Sequence, residues 1–444
     1  MNTRRMAIRI LQEIEEGAYS NLVLDRELKK VRDKRDRGLI TELVYGVLRQ
    51  QKRLDYLISQ LSSRPLRKIE QPVLLALRLG IYQLEFLDRI PERAAVNETV
   101  NAIKGLVKRG GVGFTNGLLR GFIREREQFS YPDDPLLYLS TYYSHPEWMV
   151  RLWLERYGYD DTLRLLQVNN RQPDLNIRRN SLKVSTEEFL SGLEAAGVEV
   201  ERSPISDSYT IRNLDNVESI PLFKEGGFMI QGAAAILTGH ILSPEPGMRI
   251  LDMAAAPGGK TTHLAQLMEN KGEIVALDIY DHKLKLIQEN CQRLGVKIVK
   301  TLKRDGSKFR CGDAFDMILV DAPCSGLGLV RQKPEIKWNK SPADLEKLPS
   351  IQLSMLNNAL NLLKASGILL YSTCTLAWEE NQGLVHKFIA ANRERVELLD
   401  IGQDLKRLGL DGYLKTSPEG YLELFPPDSG TEGFFIAKFR KGNY

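Results

Sequence analysis

Residues 249–261 read RILDMAAAPGGKT, and this stretch decides how the second half of the chain folds. Its apolar beginning predicts a buried strand, and the Pro-Gly-Gly at residues 257–259 predicts a tight turn before a helix that starts near Thr261. In an open α/β sheet, a turn of this kind after the first strand is where a nucleotide-like ligand binds. Glycine lets backbone N–H groups approach the ligand, and the helix N-terminus favours negative charge.

Three interpretations of this turn are open. A phosphate-binding P-loop requires G-x-x-x-x-G-K-[ST], and the residues at 259–261 fit its end, but Ala254 stands at the first glycine position. An S-adenosylmethionine site requires an acidic residue at the end of the second strand, and Asp278 lies about 20 residues downstream, as expected. A purely structural glycine turn needs neither feature. Ala254 and Asp278 together favour the S-adenosylmethionine site.

From about residue 222 onward, predicted strands alternate with predicted helices. The strands fall at residues 249–253, 273–278, 297–302, 315–321, 367–373 and 434–439, and the helices near 261–270, 281–294 and 342–364. This alternation predicts an α/β, doubly wound, mostly parallel sheet of the Rossmann-like kind.

The first part of the chain has a different pattern and a different charge. Residues 1–130 show helical periodicity without strands. Residues 1–144 carry 25 Lys and Arg against 18 Asp and Glu, a net charge of +7, whereas the remainder carries −2. A basic helical module joined to a near-neutral one favours an anionic partner for the first, although a merely solvated bundle surface stays possible.

Between these parts lies a small α+β unit that follows the break SYPDDP at residues 130–135. Strand-like PDLNIRRN and VEVERS flank a predicted helix that opens with a capping-box pattern at Ser185 and Glu188. The sequence therefore predicts three domains, which are residues 1–135 (all-α), 136–225 (linker helices and α+β adapter) and 226–444 (α/β).

Several classes of protein are excluded by the composition. The sequence contains no run of 18 apolar residues, so it predicts no membrane-spanning helix. The four cysteines lack CxxC pairing, and the five histidines form no metal-ligand cluster. We expect a cytoplasmic protein with reduced thiols, no metal and no membrane partner.

The predicted strand ends gather chemically active side chains. Asp252, Asp278 and Asp305 follow the first three strands, and the fourth and fifth end in VDAPCSG (residues 320–326) and STCTL (residues 372–376). One acid at a strand end is common, and a single cysteine is usually an inert buried thiol. Four acids and two thiols on consecutive strand ends predict a site.

A thiol beside a methyl donor suits one chemistry in particular. Carbon 5 of a pyrimidine is a poor nucleophile, but a thiolate that adds to carbon 6 converts the ring to an enamine whose carbon 5 can be methylated. Asp321 is the candidate to stabilise the adduct at ring nitrogen 3. A base must then remove the carbon 5 proton, and the second cysteine could do this.

DMAAAPGGKT, DAPCSG and STCTL, with Glu380-Asn381 shortly after, resemble the RNA (cytosine-5) methyltransferases. Within that group the chain is similar, over nearly its full length, to the Sun/Fmu branch of bacterial 16S rRNA enzymes. NLVLDREL, ELVYGVLR and GFTNGLLR resemble the helical domain that this branch shares with the antitermination factor NusB. The resemblance implies S-adenosylmethionine as the cofactor and cytosine 967 of unassembled or early-assembly 16S rRNA as the target, with the chain acting as a monomer.

The resemblance also implies residue roles. Cys374 would be the nucleophile, Cys324 would act in product release, and Asp321 would position the target base. The residues implied to bind the methyl donor are Ala254, Ala255, Ala256, Pro257, Gly258, Gly259, Lys260, Asp278, Asp305 and Asp321.

One segment of the chain limits what the resemblance implies. The segment RQKPEIKW (residues 331–338) resembles the family's substrate loop, and its positive charge and tryptophan suit phosphate contact and base stacking. It departs from the family's RRHPDIKW, so the nucleotide context is open. The alternatives are the same chemistry on another RNA such as tRNA, or a non-catalytic RNA-binding assembly factor, which would have no need of the two cysteines and Asp321.

Overall fold

A computed structural model describes residues 2–212 and 216–443. Residue 1 of the first predicted domain range, residues 213–215 of the second and residue 444 of the third therefore lie outside the described residues. In chain order the helices are α1 (Thr3–Glu15), α2 (Ser20–Leu28), α3 (Lys34–Leu61), α4 (Gln71–Phe86), α5 (Glu92–Ile103), α6 (Arg109–Glu125), α7 (Pro135–Tyr142), α8 (Glu147–Asn169), α9 (Thr186–Ala195), α10 (Pro221–Lys224), α11 (Ala233–Leu242), α12 (Gly259–Leu267), α13 (Asp281–Leu294), α14 (Ile336–Asn339), α15 (Pro342–Leu362), α16 (Gln382–Ala391), α17 (Ile401–Arg407) and α18 (Pro426–Ser429). The strands are β1 (Leu175–Arg179), β2 (Glu199–Arg202), β3 (Ser208–Arg212), β4 (Phe228–Ile230), β5 (Arg249–Asp252), β6 (Glu273–Asp278), β7 (Val299–Lys303), β8 (Phe315–Asp321), β9 (Leu363–Thr373), β10 (Val396–Leu399), β11 (Leu422–Leu424) and β12 (Phe434–Lys441).

The chain divides into two compact units, and one of them is not continuous in sequence. The helical unit runs to Gln172 and also contains Val330–Lys340, which we call the inserted segment. The second unit holds Pro173–Leu329 and the chain from Ser341 onward. The helical unit therefore extends beyond the predicted domain boundary at residue 135 and takes up eleven residues from within the predicted α/β domain.

The helical unit has one apolar core, to which α1 to α6 contribute buried side chains. Two glycines let helices approach closely, because a Cβ at Gly46 would lie 2.0 Å from the Tyr82 ring and one at Gly80 would lie 2.6 Å from Leu119. A bidentate ion pair joins α4 to the end of α3, with Arg78 Nε and Nη2 donating to the two Asp55 carboxylate oxygens at 2.7 and 2.8 Å. The prediction of an all-helical first part is confirmed.

The second unit begins with a small antiparallel sheet in the order β2-β3-β1-β4. The predicted capping box of α9 is present, since Glu188 N donates to Ser185 Oγ at 3.2 Å and Ser185 N donates to Glu188 Oε2 at 2.8 Å. Phe189 and Leu193 of α9 pack with the apolar side chains of the sheet.

The large sheet has the order β10-β12-β9-β8-β5-β6-β7, with β11 paired to β12. Strands β7, β6, β5, β8 and β9 are parallel, and β12 is antiparallel to β9. Helices pack on both faces of this sheet, and each face has its own apolar cluster. Helices α11, α12 and α13 contribute to one cluster, and α15 and α16 contribute to the other. The prediction of a doubly wound, mostly parallel sheet is confirmed.

Within the described ranges, none of the helices combines the length and the apolar character that crossing a membrane requires.

Candidate active site

The carboxyl ends of the parallel strands form the edge of the sheet where the candidate residues lie. Asp252, Asp278 and Asp321 are the last residues of β5, β6 and β8, and Cys374 directly follows β9. Because these strands are hydrogen-bonded neighbours in the order β9-β8-β5-β6, their ends meet along one side of the sheet. The sheet topology thus brings together side chains that are more than 100 residues apart in sequence.

The turn after β5 forms one wall of a cavity at this edge. All predicted donor-binding positions of the turn except Gly258 line the cavity, together with Gln231, Asp252 and Asp321. Gly258 has a φ of +97°, a left-handed conformation that favours glycine, and its N–H closes the turn on Ala255 O at 2.7 Å. The small side chains leave the backbone of the turn open to a ligand.

Asp278 and Asp305 lie along the same edge but do not line this cavity. Asp278 is buried at the end of β6, where its Oδ1 accepts from Tyr280 N at 3.0 Å. Asp305 lies two residues beyond β7, and its Oδ1 accepts from the N–H and the hydroxyl of Ser307 at 2.9 and 2.7 Å. The predicted donor-binding residues therefore divide into those that line the cavity and two acids at or beyond the ends of β6 and β7.

Lys260 and Asp321 form an ion pair across the cavity. Lys260 Nζ donates to Asp321 Oδ2 at 2.7 Å, and the Ser372 hydroxyl donates to Oδ1 at 2.8 Å. Burial alone would lower the pKa of Lys260, but the Asp321 carboxylate outweighs that effect and leaves the pKa raised. Both oxygens of Asp321 are thus held in place, one of them by a cation.

Asp252 is a buried acid behind the turn. Burial raises its pKa to about 7, against the opposing hydrogen bond from Thr261 Oγ1, which donates to Asp252 Oδ2 at 2.7 Å. The nearby Asp321 charge contributes in the same direction as burial. Asp252 is therefore protonated far more readily near neutral pH than an ordinary aspartate.

The two predicted thiols face each other. Cys324 Sγ and Cys374 Sγ are 3.2 Å apart, and both cysteines are half-buried. The hydrogen bond with Cys374, together with burial, raises the pKa of the Cys324 thiol well above its usual value. Lys260 interacts electrostatically with Cys374, so a thiolate at Cys374 lies within the field of a buried cation.

Within RQKPEIKW, whose positive charge and tryptophan suit RNA contact, Lys337 and Trp338 are held by the helical unit. Lys337 is 1% exposed, and its Nζ donates to Arg49 O, Ser144 O and Asn170 Oδ1 at 3.0, 3.1 and 2.8 Å. Burial lowers the pKa of Lys337 well below its usual value. Trp338 Nε1 donates to Leu48 O at 2.8 Å, and its ring packs against the core of the helical unit. Both side chains anchor the inserted segment inside the helical unit.

One buried residue near the thiols was not predicted. Gln352 of α15 is fully buried, and its Nε2 donates to Pro323 O at 3.0 Å and to Glu380 Oε2 at 2.8 Å. A usable signal exists, because Gln352 occupies the same helical stripe as the buried Leu356 and Ala359. A polar residue in an apolar stripe indicates a buried hydrogen-bonding role.

No group of three or more His, Cys, Asp or Glu side chains in the described parts of the chain could hold a metal ion.

Residues 239–440 match a family model described as 16S rRNA methyltransferase RsmB/F. Residues 1–124 match the NusB family, and residues 145–212 match the ferredoxin-like domain of RsmF/B-like methyltransferases. The probable ribosomal RNA small subunit methyltransferase B of Bacillus subtilis (strain 168) is 37% identical, with 99% of each chain covered. The crystal structure of PH0851 is similar with a TM-score of 0.84 at 28% identity, covering 99% of this chain and 98% of that one. A methyltransferase homolog protein from Pyrococcus horikoshii has a TM-score of 0.61 at 30% identity, covering 70% of this chain and all of that one.

Proposed function

The chain belongs to the 16S rRNA methyltransferase RsmB/F family, and from that premise we propose that it methylates carbon 5 of one cytosine in 16S rRNA through a covalent adduct with Cys374. It is an S-adenosylmethionine-dependent rRNA methyltransferase. The observation that carries the covalent route is the pair of thiols 3.2 Å apart beside the ion-paired Asp321. Cytosine 967, the target that the resemblance to the Sun/Fmu branch implies, is the position we propose for this chain.

The cavity at the turn after β5 suits S-adenosylmethionine. Its small side chains expose backbone groups, its wall carries Asp252 and Asp321, and Asp278 lies at the neighbouring strand end, where ribose hydroxyls are bound in such folds. Residues 254–260 would hold the methionine part, Asp278 the ribose and Asp305 the adenine amine. When bound, this cofactor supplies an electrophilic methyl group on a sulfonium centre.

Cys374 is the proposed nucleophile. Its thiolate would add to carbon 6 of the cytosine, forming a carbon–sulfur bond and moving the ring electrons toward carbon 5. Two features of the geometry support this assignment over the reverse one. The raised pKa of Cys324 keeps the proton on that thiol, and Lys260 lies close enough to interact with a Cys374 thiolate. Of the two sulfurs, Cys374 is thus the better placed to be deprotonated.

Asp321 is the proposed anchor for the target base. Lys260 and Ser372 each hold one of its oxygens, so the carboxyl group has a fixed orientation. It would hydrogen-bond the N3 and amino edge of the cytosine, where charge develops when carbon 6 is attacked. Because carbon 5 and carbon 6 are inaccessible in a stacked helix, the base must be unstacked to reach this position.

Cys324 is the proposed base for release. After methylation, carbon 5 carries both a methyl group and a proton. Once Cys374 is bonded to carbon 6, it no longer raises the pKa of Cys324, and the Cys324 thiol can lose its own proton to solvent. The Cys324 thiolate would then accept the carbon 5 proton, the double bond between carbon 5 and carbon 6 would reform, and the Cys374 thiolate would leave. The 3.2 Å separation of the sulfurs supports action of both groups at the same edge of the ring.

The test is transfer of a radiolabelled methyl group from S-adenosylmethionine to unmodified 16S rRNA, with mapping of the labelled nucleotide. We expect wild type to label cytosine 967, Cys374→Ala to be inactive, and Cys324→Ala to accumulate a covalent protein–RNA complex. Cys311→Ala is the matched control, because its thiol lies outside the site and donates to Asp313 O.

Each other outcome has a definite meaning. Activity in Cys374→Ala contradicts the nucleophile assignment. Label in tRNA alone contradicts the substrate, and RNA binding without any methyl transfer supports an assembly factor instead.

The remaining proposals concern partners and place. The net charge of residues 1–144 supports RNA contact by the helical unit. The four free cysteines support a reducing, cytoplasmic setting. We also propose that the chain acts as a monomer on unassembled or early-assembly RNA, which sedimentation and assays on naked RNA against assembled subunits would test.

A further inference from the structure

Three buried polar side chains surround the two thiol-bearing loops. These are Gln352 of α15 and the consecutive Glu380 and Asn381 before α16, which we call the cysteine bracket. Glu380, Asn381 and Gln352 are all fully buried. Their hydrogen bonds run to the residues immediately before and after each cysteine, which makes them candidates for positioning the sulfurs.

Asn381 holds the Cys374 loop from both sides. The Thr373 hydroxyl donates to Asn381 Oδ1 at 2.6 Å, and Asn381 Nδ2 donates to Thr375 O at 2.9 Å. Because Thr373 and Thr375 flank Cys374, one amide holds the Thr373 side chain on one side of that sulfur and the Thr375 carbonyl on the other. The amide orientation is determined too, since a carbonyl can only accept and must face the NH₂ group.

Gln352 and Glu380 hold the Cys324 loop in the same way. Gln352 Nε2 donates to Pro323 O at 3.0 Å, on one side of Cys324. On the other side, Ser325 N donates to Glu380 Oε2 at 2.9 Å, and the Ser325 hydroxyl donates to Glu380 Oε1. Gln352 also donates to Glu380 Oε2 at 2.8 Å, so the two bracket residues support each other.

The two loops are joined to each other as well. The Ser325 and Thr375 hydroxyls are 2.7 Å apart, and Gly328 N donates to Cys374 O at 3.0 Å. The separation of the sulfurs is thus set by a continuous buried network rather than by the thiols alone.

We propose that the cysteine bracket divides the positioning of the two reaction steps: Asn381 positions Cys374 for attack, and Gln352 with Glu380 positions Cys324 for release. This rests on the proposed function, in which Cys374 adds to the base and Cys324 removes the carbon 5 proton. The three are positioning residues, since they act through the neighbours of the cysteines. A reacting atom displaced by 1 Å loses roughly 100-fold in rate, so loss of one bracket residue slows one step selectively.

The experiment is a single-turnover reaction of the full-length enzyme with unmodified 16S rRNA and S-adenosylmethionine, followed on denaturing gels. Two rates are measured, the appearance of the covalent protein–RNA complex and its decay to methylated RNA. We expect Asn381→Ala to slow appearance about 100-fold with an unchanged KM for S-adenosylmethionine. Asn381→Asp, which keeps the acceptor for Thr373 and loses the donor to Thr375, falls between Asn381→Ala and wild type.

Gln352→Leu gives the opposite pattern. The complex appears at nearly the wild-type rate and decays about 100-fold more slowly, so it accumulates. Asn392→Ala is the matched control, because Asn392 is a buried amide beyond the end of α16 that donates to Asn357 Oδ1 and Phe388 O, away from both loops. It should match wild type in both rates.

A merely structural role predicts something else. If Asn381→Ala and Gln352→Leu slow both steps in equal proportion and in line with their loss of thermal stability, the division of roles is wrong. Cys374→Ala is run in parallel to separate the two levels of inference. A complex that still forms with Cys374→Ala contradicts the proposed function. If that complex is absent but Asn381→Ala forms it at the wild-type rate, only the positioning inference fails.

Discussion

Lys260 and Asp321 define the charge of the site at the scale of single residues. The 2.7 Å ion pair holds one oxygen of the carboxyl group that is proposed to face the cytosine. Lys260→Met removes that cation and its interaction with Cys374, so we expect kcat to fall about 100-fold, as when one preorganised electrostatic contact is lost. Methyl transfer at saturating S-adenosylmethionine measures this. Lys271→Met, which removes an exposed lysine paired with Glu269, should change nothing, and equal loss in both variants would contradict the role of Lys260.

Asp252 gives the protein a specific pH dependence of stability. Its pKa is about 7 in the folded state against 3.8 in the unfolded chain, so between these values the folded state binds the extra proton. Stability contributed by this group therefore falls as pH rises from 4 to 7 and is level above that. The Asp252→Asn variant lacks this titrating group. We therefore expect the free energy of unfolding of the variant, minus that of wild type, to be up to about 3 kcal/mol higher at pH 7 than at pH 5. Urea unfolding at the two pH values measures it; a constant difference would show that Asp252 does not titrate there.

Sequence reasoning at this scale predicted the proximity of the thiols and missed their supports. Cys324 and Cys374 each follow a strand, and parallel neighbours end at one edge, so their closeness follows from topology. The hydrogen bonds of Gln352 depend on the rotation of α15 against the sheet. Periodicity predicts which face of a helix is buried but not which atoms that face contacts. The hydrogen bonds of Gln352 could therefore not be predicted from the sequence.

At the scale of elements, Trp338 holds the inserted segment in the helical unit. Trp338→Ala removes ring packing and leaves Leu48 O without its indole donor. We expect the unfolding free energy of the helical unit to fall by about 2 kcal/mol. Urea denaturation measures this loss. Tyr159→Ala, a substitution at a 45% exposed ring in the same unit, should be nearly neutral. Unchanged stability with weakened RNA binding would instead restore Trp338 as a base-stacking residue.

Elements with long apolar runs were predicted correctly, and short ones were missed. The strands β5, β6 and β8 lie within or at the predicted limits because each carries a continuous buried run. Strands β10 and β11 have four and three residues, and both pair with β12. Such short strands exist only because a distant partner supplies their hydrogen bonds, and no local pattern reveals that.

The uneven charge of the chain has a measurable consequence at the scale of the whole molecule. Arg109 and Arg120 are exposed on α6 within the basic residues 1–144. Replacing both with Gln should weaken binding of 16S rRNA and reduce the slope of log affinity against log salt by up to about 2. Lys271→Gln with Lys300→Gln removes equal charge from the second unit. If that pair reduces the slope as much, the helical unit is not the principal contact.

The domain plan was predictable only in part. The change from helical to alternating periodicity correctly separated an all-α region from an α/β region. The inclusion of Val330–Lys340 in the helical unit was not predictable, because a lysine in a basic stretch is usually exposed. Lys337 and Trp338 donate instead to carbonyl groups on α3 and before α8, which the sequence pattern does not show.

The discontinuous helical unit also sets an order of events during synthesis. Its last missing piece is translated roughly 160 residues after Gln172, which at about 5–20 residues per second is a delay of about 8–30 s. Through that interval the carbonyl groups of Leu48, Arg49 and Ser144 are without the indole and ammonium donors that later cover them. A nascent chain that stops at residue 172 is therefore an unfinished fold, and a synthetic peptide of residues 330–340 supplied in trans is the piece that completes it.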